Sequence, residues 1–299
     1  MEESKIHALL NLLSDSQEII WQSAYNELQL LPQESIETLK DISNNYSWDS
    51  SIHLQRFEEV LEQIKFKKIL YDLEQWKLHK QDDLLYAIAI ICTIQYEEVT
   101  YQQLNEKIEE IRLAAWLEFH YQLTSFEKVR LLNFVMFQNF QFKGNEQNFL
   151  NYENNYINKV LETRLGNPLS LCVIYILVAQ RLNVPIFGVN LPKHFLMVYM
   201  DDKNLETPLH FGDKPQLSFK PNLAIQFYIN AYNGGGLVNM SSLYQSMLSM
   251  NIEPKEEYFN PCTNMDIVIR MLKNIYNSYL QQNSNKAQQI QSLLDKFTN

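Results

Sequence analysis

The chain has 299 residues, room for about two domains at roughly 150 residues each. Its 46% hydrophobic and 20% charged content is that of a water-soluble globular protein. A formal net charge of −10, with no basic stripe, repels a phosphate backbone, so nucleic acid is not expected as a partner. The opening MEESKIH lacks the charged-then-apolar pattern of a signal peptide. The longest apolar run, 84–94, is far short of the ~20 residues that cross a bilayer. No membrane association is expected, and the expected location is cytoplasmic. Cys92, Cys172 and Cys262 are odd in number and far apart, which argues against a disulfide framework or a zinc knuckle and fits a reducing compartment.

Glycine and proline divide the chain. All seven glycines fall between Gly144 and Gly236, and of nine prolines only Pro32 precedes Pro168. Residues 1–140 are therefore expected to be nearly all helix, with turns concentrated in 144–262. The first block, 1–50, reads as two or three short helices, close in length to one HEAT-type repeat, with Ser14 and Gln17 spaced as a capping box. Four more helices are expected to Phe140. Their stripes are Phe57, Val60, Leu61 and Ile64, then Leu104, Ile108, Ile111 and Ala115, with Asp82 or Asp83 capping an apolar helix that buries Cys92. Residues 51–255 form the main domain, helical over 51–143 with a turn-rich core over 144–255, and 256–299 is an amphipathic helical extension.

The turn-rich part holds most of the available chemistry. Gly166, Asn167 and Pro168 stop one helix, and Ser170 is expected to cap the next, placing Cys172 in its first turn. A helix start favours thiolate and offers amides to an oxyanion. His194 opens a strand candidate, HFLMVYM, and shares a face with Leu196 and Val198. Asn230 ends the strand candidate AIQFYI before the turn NAYNGGG, where its side-chain oxygen can orient an imidazole. Taken singly, each has an ordinary reading: a small core thiol, a core or edge histidine, a turn-forming asparagine. Taken in order they are a nucleophile, a base and an orienter. Asp201 and Asp202 are poorer orienters, about 23 Å or more from His194 at the usual strand rise. No metal is expected: His7, His53, His79, His120 and His210 show no ligand spacing, and Cys172 with His194 supplies only two ligands. No cofactor motif is present.

Several stretches occur together in order: Gly144-Asn145, the tyrosine- and asparagine-rich 155–161, GNPLSL at 166–171, GVNLPKHFL at 188–196, INAYNGG at 229–235 and DIVIRMLKNIY from Asp266. Over residues 55–280 this resembles the bacterial SirB-type transglutaminase-like domain, a relative of which occurs in some eukaryotic F-box proteins. The resemblance implies an α+β fold, predominantly helical, with a transglutaminase or papain-like core: a central helix packed on a small antiparallel sheet, preceded by a large helical part. It implies Cys, His and Asp at the positions of Cys172, His194 and Asn230. Many SirB-type members carry Ser at the first of these, where this chain keeps a thiol. Here Asn stands at the Asp position, as in papain-like proteases, and Lys193 replaces a glycine. Two functions compete. One is thiol acyl transfer, or amide or ester hydrolysis, on a protein or peptide, through a Cys172–His194–Asn230 triad. The other is a non-catalytic regulatory or protein-interaction module on the same fold.

Overall fold

The computed structural model describes residues 3–31, 35–120, 122–201, 222, 224–280 and 284–298. The chain divides into two compact units, Met1–Leu78 and His79–Asn299.

The first unit is made of α1 (Glu3–Leu12), α2 (Glu18–Gln29), α3 (Ser35–Asn45) and α4 (Ser51–His79). Ile6, Leu10, Leu13, Leu28, Leu39 and the Phe57–Val60–Ile64 stripe close one core. His53 is fully buried in it, and its Nε2 donates to the Leu10 carbonyl at 2.7 Å. The expected Ser14–Gln17 capping box does not form. The Ser14 hydroxyl turns back to the Asn11 carbonyl, 2.7 Å away, and Gln17 precedes α2 without a side-chain cap. Asp15 takes up the loose end, accepting from the Gln17 amide at 2.7 Å.

The second unit begins with α5 (Leu84–Cys92), capped by Asp83 on the Tyr86 amide and burying Cys92. Next come α6 (Tyr101–Trp116), with Leu104, Ile108, Ile111 and Ala115 buried as spaced, and α7 (Ser125–Asn133), which runs into a π-helical turn, Phe134–Asn139. The chain then pairs β1 (Lys143–Gly144) in parallel with β2 (Leu165–Gly166), enclosing α8 (Ile157–Thr163). Helix α9 (Pro168–Arg181) leads into β3 (Ile186–Val189), β4 (Leu196–Met200), β5 (Ile225–Asn230) and β6 (Gly236–Val238), an antiparallel meander in that order. Three helices finish the chain: α10 (Met240–Ser249), α11 (Asn264–Tyr279) and α12 (Ser284–Thr298). The fold is the expected α+β arrangement with mostly helix and a small sheet.

Strand alternation decides what covers each face of the sheet. Val189, Leu196, Val198 and Tyr228 point to one side and pack with Met247 of α10 and with Phe259. Tyr199 and Phe227, paired across β4 and β5, point to the other, where Phe227 stacks on Phe126 of α7 at 4.9 Å. Helix α9 lies on this second side, and none of its residues joins the first cluster.

One polar contact ties three of these elements together. Asn133, at the end of α7, donates to the Gly235 carbonyl at 2.9 Å and accepts from the Tyr175 hydroxyl of α9 at 3.0 Å. Gly235 has φ +76°, and a Cβ there would meet Asn133 Oδ1 at 1.9 Å, whereas Gly234, at φ +60°, has open space around it. Gly235→Ala should therefore lower stability by about 2 kcal/mol or more, combining backbone strain and overpacking. Gly234→Ala should cost only about 1 kcal/mol. Urea midpoints of the two variants test the difference.

Candidate functional site

Helix α9 begins one turn earlier than its sequence suggests. Its cap is Asn167, whose side chain accepts from the Ser170 amide at 2.9 Å. Ser170 is the reciprocal partner, its hydroxyl accepting from the Asn167 amide at 3.0 Å, and Pro168 occupies the first helical position. Cys172 therefore lies in the second turn, away from the open amides at the helix start. It is fully buried, its thiol directed to the Phe195 carbonyl at 3.7 Å, with the Ala231 amide beside it. Burial pushes this thiol up to about 12 and overrides the modest help of the Ala231 amide.

His194 sits in the turn before β4 and is exposed. Its amide donates to the Leu191 carbonyl at 3.3 Å, and it follows Lys193, a non-glycine residue at φ +64°. Asn230 ends β5, and its side-chain oxygen accepts from the amides of Tyr232 and Asn233 at 3.1 and 3.3 Å, capping the turn Ala231–Asn233. The three residues expected to act together are thus near in topology: Phe195 follows His194, Ala231 follows Asn230, and both backbones touch the Cys172 thiol. Thiol and imidazole share no hydrogen bond among the described residues, and the Asn230 oxygen is engaged by its own turn. Asp202 and His210 lie outside the described residues.

The asparagine-rich stretch before α9 is a scaffold. Asn145 donates to Asn154 Oδ1 at 3.0 Å, Asn154 donates to the Asn148 and Phe149 carbonyls, and Asn167 donates to Asn155 Oδ1 at 2.8 Å. Gly144 is needed because a Cβ there would lie 2.4 Å from the Tyr232 ring.

Beside the start of α9 opens a cavity of about 480 Å³, whose lining includes Asn155, Asn167, Lys193, Arg270, Asn274 and Asn277. Cys172, His194 and Asn230 do not line it. Sequence reasoning noted Lys193 but missed Arg270. The available signal was the spacing of Arg270, Asn274 and Asn277, which puts three polar residues on one stripe of an otherwise apolar-faced helix. Among the described residues, no three His, Cys, Asp or Glu side chains come together as a metal ion would require, and no helix is long and apolar enough to cross a membrane.

Two outcomes follow. Asn167→Ala removes the cap and leaves the Ser170 amide buried without a partner, so stability should fall by about 1–2 kcal/mol in urea unfolding. The second concerns pH. Cys92, Cys172 and Cys262 are all raised from 9.0 to about 12 by burial. The folded state holds these protons more tightly than the unfolded chain, so the stabilisation is complete below about pH 9 and is lost as pH rises toward about 12. The urea midpoint should fall across that window, and less steeply in Cys172→Ala.

Among known proteins, a UPF0162 protein of Xylella fastidiosa (strain 9a5c) is 31% identical over 157 residues, 52% of this chain and 50% of the relative. F-box only protein 21 of Mus musculus is 26% identical over 150 residues, 50% of this chain and 21% of its own length. The human F-box only protein 21 is 39% identical over 66 residues, 22% of this chain and 10% of its own. The chain thus spans about half the length of the Xylella relative and about a fifth of the mouse one. No solved structure matches it. The model described as the transglutaminase-like superfamily matches residues 100–273. That is more than half of the 299 residues, and it contains α9 and the whole sheet: the chain belongs to the transglutaminase-like superfamily.

Proposed function

We propose that this chain is a non-catalytic, SirB-type member of the superfamily, a cytoplasmic module that binds a protein or peptide. The observation that carries this reading is the state of Cys172. A nucleophilic cysteine needs an accessible, low-pKa thiol beside its base. Here the thiol is fully buried, raised to about 12, and without a bond to the exposed His194. The side-chain oxygen of Asn230 is engaged by two amides of its own turn, which supports the same reading. The SirB-type placement rests on the ordered motifs from Gly144-Asn145 to the helix beginning near Asp266. What remains is a core carrying an open cavity of mixed polar and apolar lining, which suits a binding protein.

The test is alkylation by iodoacetamide as a function of pH, resolved by cysteine, in the wild type and His194→Ala. The expected result is that Cys172 stays unmodified near neutral pH and that His194→Ala changes nothing. Fast modification near neutral pH with an apparent pKa well below about 8.5, abolished by His194→Ala, would overturn the reading. Thiol acyl transfer or hydrolysis on a peptide would then take its place.

A further inference from the structure

We propose that the cavity beside α9 receives the carboxylate of an acidic peptide, held between Lys193 and Arg270. This rests on the binding reading above and gives it a site and a ligand chemistry. The chain carries 35 acidic and 25 basic residues, yet among the described residues the charged side chains lining this cavity are two cations and no carboxylate. Arg270 is half-buried, and its guanidinium donates to the neutral Asn190 Oδ1 at 3.2 Å. Among the described residues neither Arg270 nor Lys193 has an acidic partner within ion-pair distance. Partial burial of a guanidinium without a counterion is unfavourable, and an incoming carboxylate removes that cost with a planar, two-pronged bond.

The loop geometry agrees. Asn190 and Lys193 belong to the same connection between β3 and β4, so the Arg270–Asn190 bond fastens α11 to the loop that carries the second cation. Lys193 holds φ +64°, a conformation that disfavours any residue with a Cβ. Its side chain is exposed on the wall of the cavity, so its charge is accessible to a ligand there.

The rest of the lining suits a peptide better than a bare anion. Asn274 and Asn277 are neutral and carry both donors and acceptors, which matches a peptide backbone, while Asn155 and Asn167 are held by the scaffold around the start of α9. Phe149 and Leu150 line the same cavity and are 53% and 82% exposed, apolar surface available to a neighbouring side chain of the ligand. A phosphate cradle would call for a run of open backbone amides. The start of α9 does not supply one: Pro168 has no N–H, and the Ser170 amide is already bonded to Asn167. A cavity of about 480 Å³ lies within the range of small-ligand sites.

The test uses the full chain on an array of random nonamer peptides. Each is made in acidic form and again with aspartate and glutamate replaced by asparagine and glutamine, with free and with amidated C termini. Fluorescein-labelled versions of retained peptides are then titrated by anisotropy against wild type, R270Q and K193Q, with inorganic phosphate as competitor. The expected result is retention of acidic forms over their amide counterparts, with affinity lowered at least about tenfold by R270Q and about three- to tenfold by the exposed-site K193Q. Dependence on a free C terminus identifies a terminal carboxylate; indifference to it identifies a side-chain one. Equal retention of acidic and amide forms overturns the proposal. So does saturable phosphate binding without any retained peptide. Because K193Q changes an exposed side chain, its loss of binding with an unchanged melting temperature separates charge from folding. Peptide binding untouched by both substitutions removes this cavity while leaving the binding reading intact. An activated Cys172 in the alkylation assay removes that reading whatever the array shows.

Discussion

The burial of α9 from Leu169 to Ala179 governs the rest of the second unit. Every residue from Leu169 to Ala179 is buried, so this stretch has no face to give to water and must be enclosed by the sheet on one side and by other helices elsewhere. Enclosure sets the terms for its polar groups. The start of the helix has to satisfy its own amides, which the reciprocal Asn167–Ser170 bonds do. The single thiol in its second turn has to stay neutral, with a carbonyl and an amide of the sheet edge as its surroundings. A reactive thiolate in that position would oppose the packing that makes the unit stable.

Much of this was legible in the residues. The crowding of glycine into 144–236 separated helix from turn, and the Leu104–Ile108–Ile111–Ala115 spacing marked a buried stripe that the fold honours. Asp83 was readable as a cap because a short acidic side chain precedes an apolar run. Two caps misled for different reasons. At α9 both Asn167 and Ser170 are good cap residues, and only the proline between them, best placed at the first helical position, decides in favour of Asn167. At α2 the Ser14–Gln17 spacing was right, but the hydroxyl had a nearer acceptor in the carbonyl of Asn11.

The candidate site was legible in topology and not in side-chain geometry. The sequence places Cys172, His194 and Asn230 on a helix, a strand entrance and a strand end, and the backbone puts them there. Which way each side chain turns depends on details that one-dimensional spacing does not carry. Lys193 adopts a left-handed conformation just before His194, and Asn230 finds two amides of its own turn within reach. Arg270 stood in a recognised amphipathic helix, but its approach to Asn190, 80 residues away in sequence, is a tertiary fact. The family's asparagines and glycines, by contrast, find their reason in structure: a net of amide bonds under the loop before α9, and a glycine on which the Tyr232 ring rests.

The bond from Asn133 to Gly235 spans 102 residues. During synthesis α7 and α9 leave the ribosome well before the strand that completes the sheet, so the apolar sides of both helices wait for a partner that does not yet exist. Local helices form in microseconds, while contacts of this separation bear the full cost of closing a long loop. The nascent chain therefore passes through a stage with formed helices and an unsheltered α9. Exposed apolar surface at that stage favours aggregation, and a pause in translation before residue 235 would prolong that exposure.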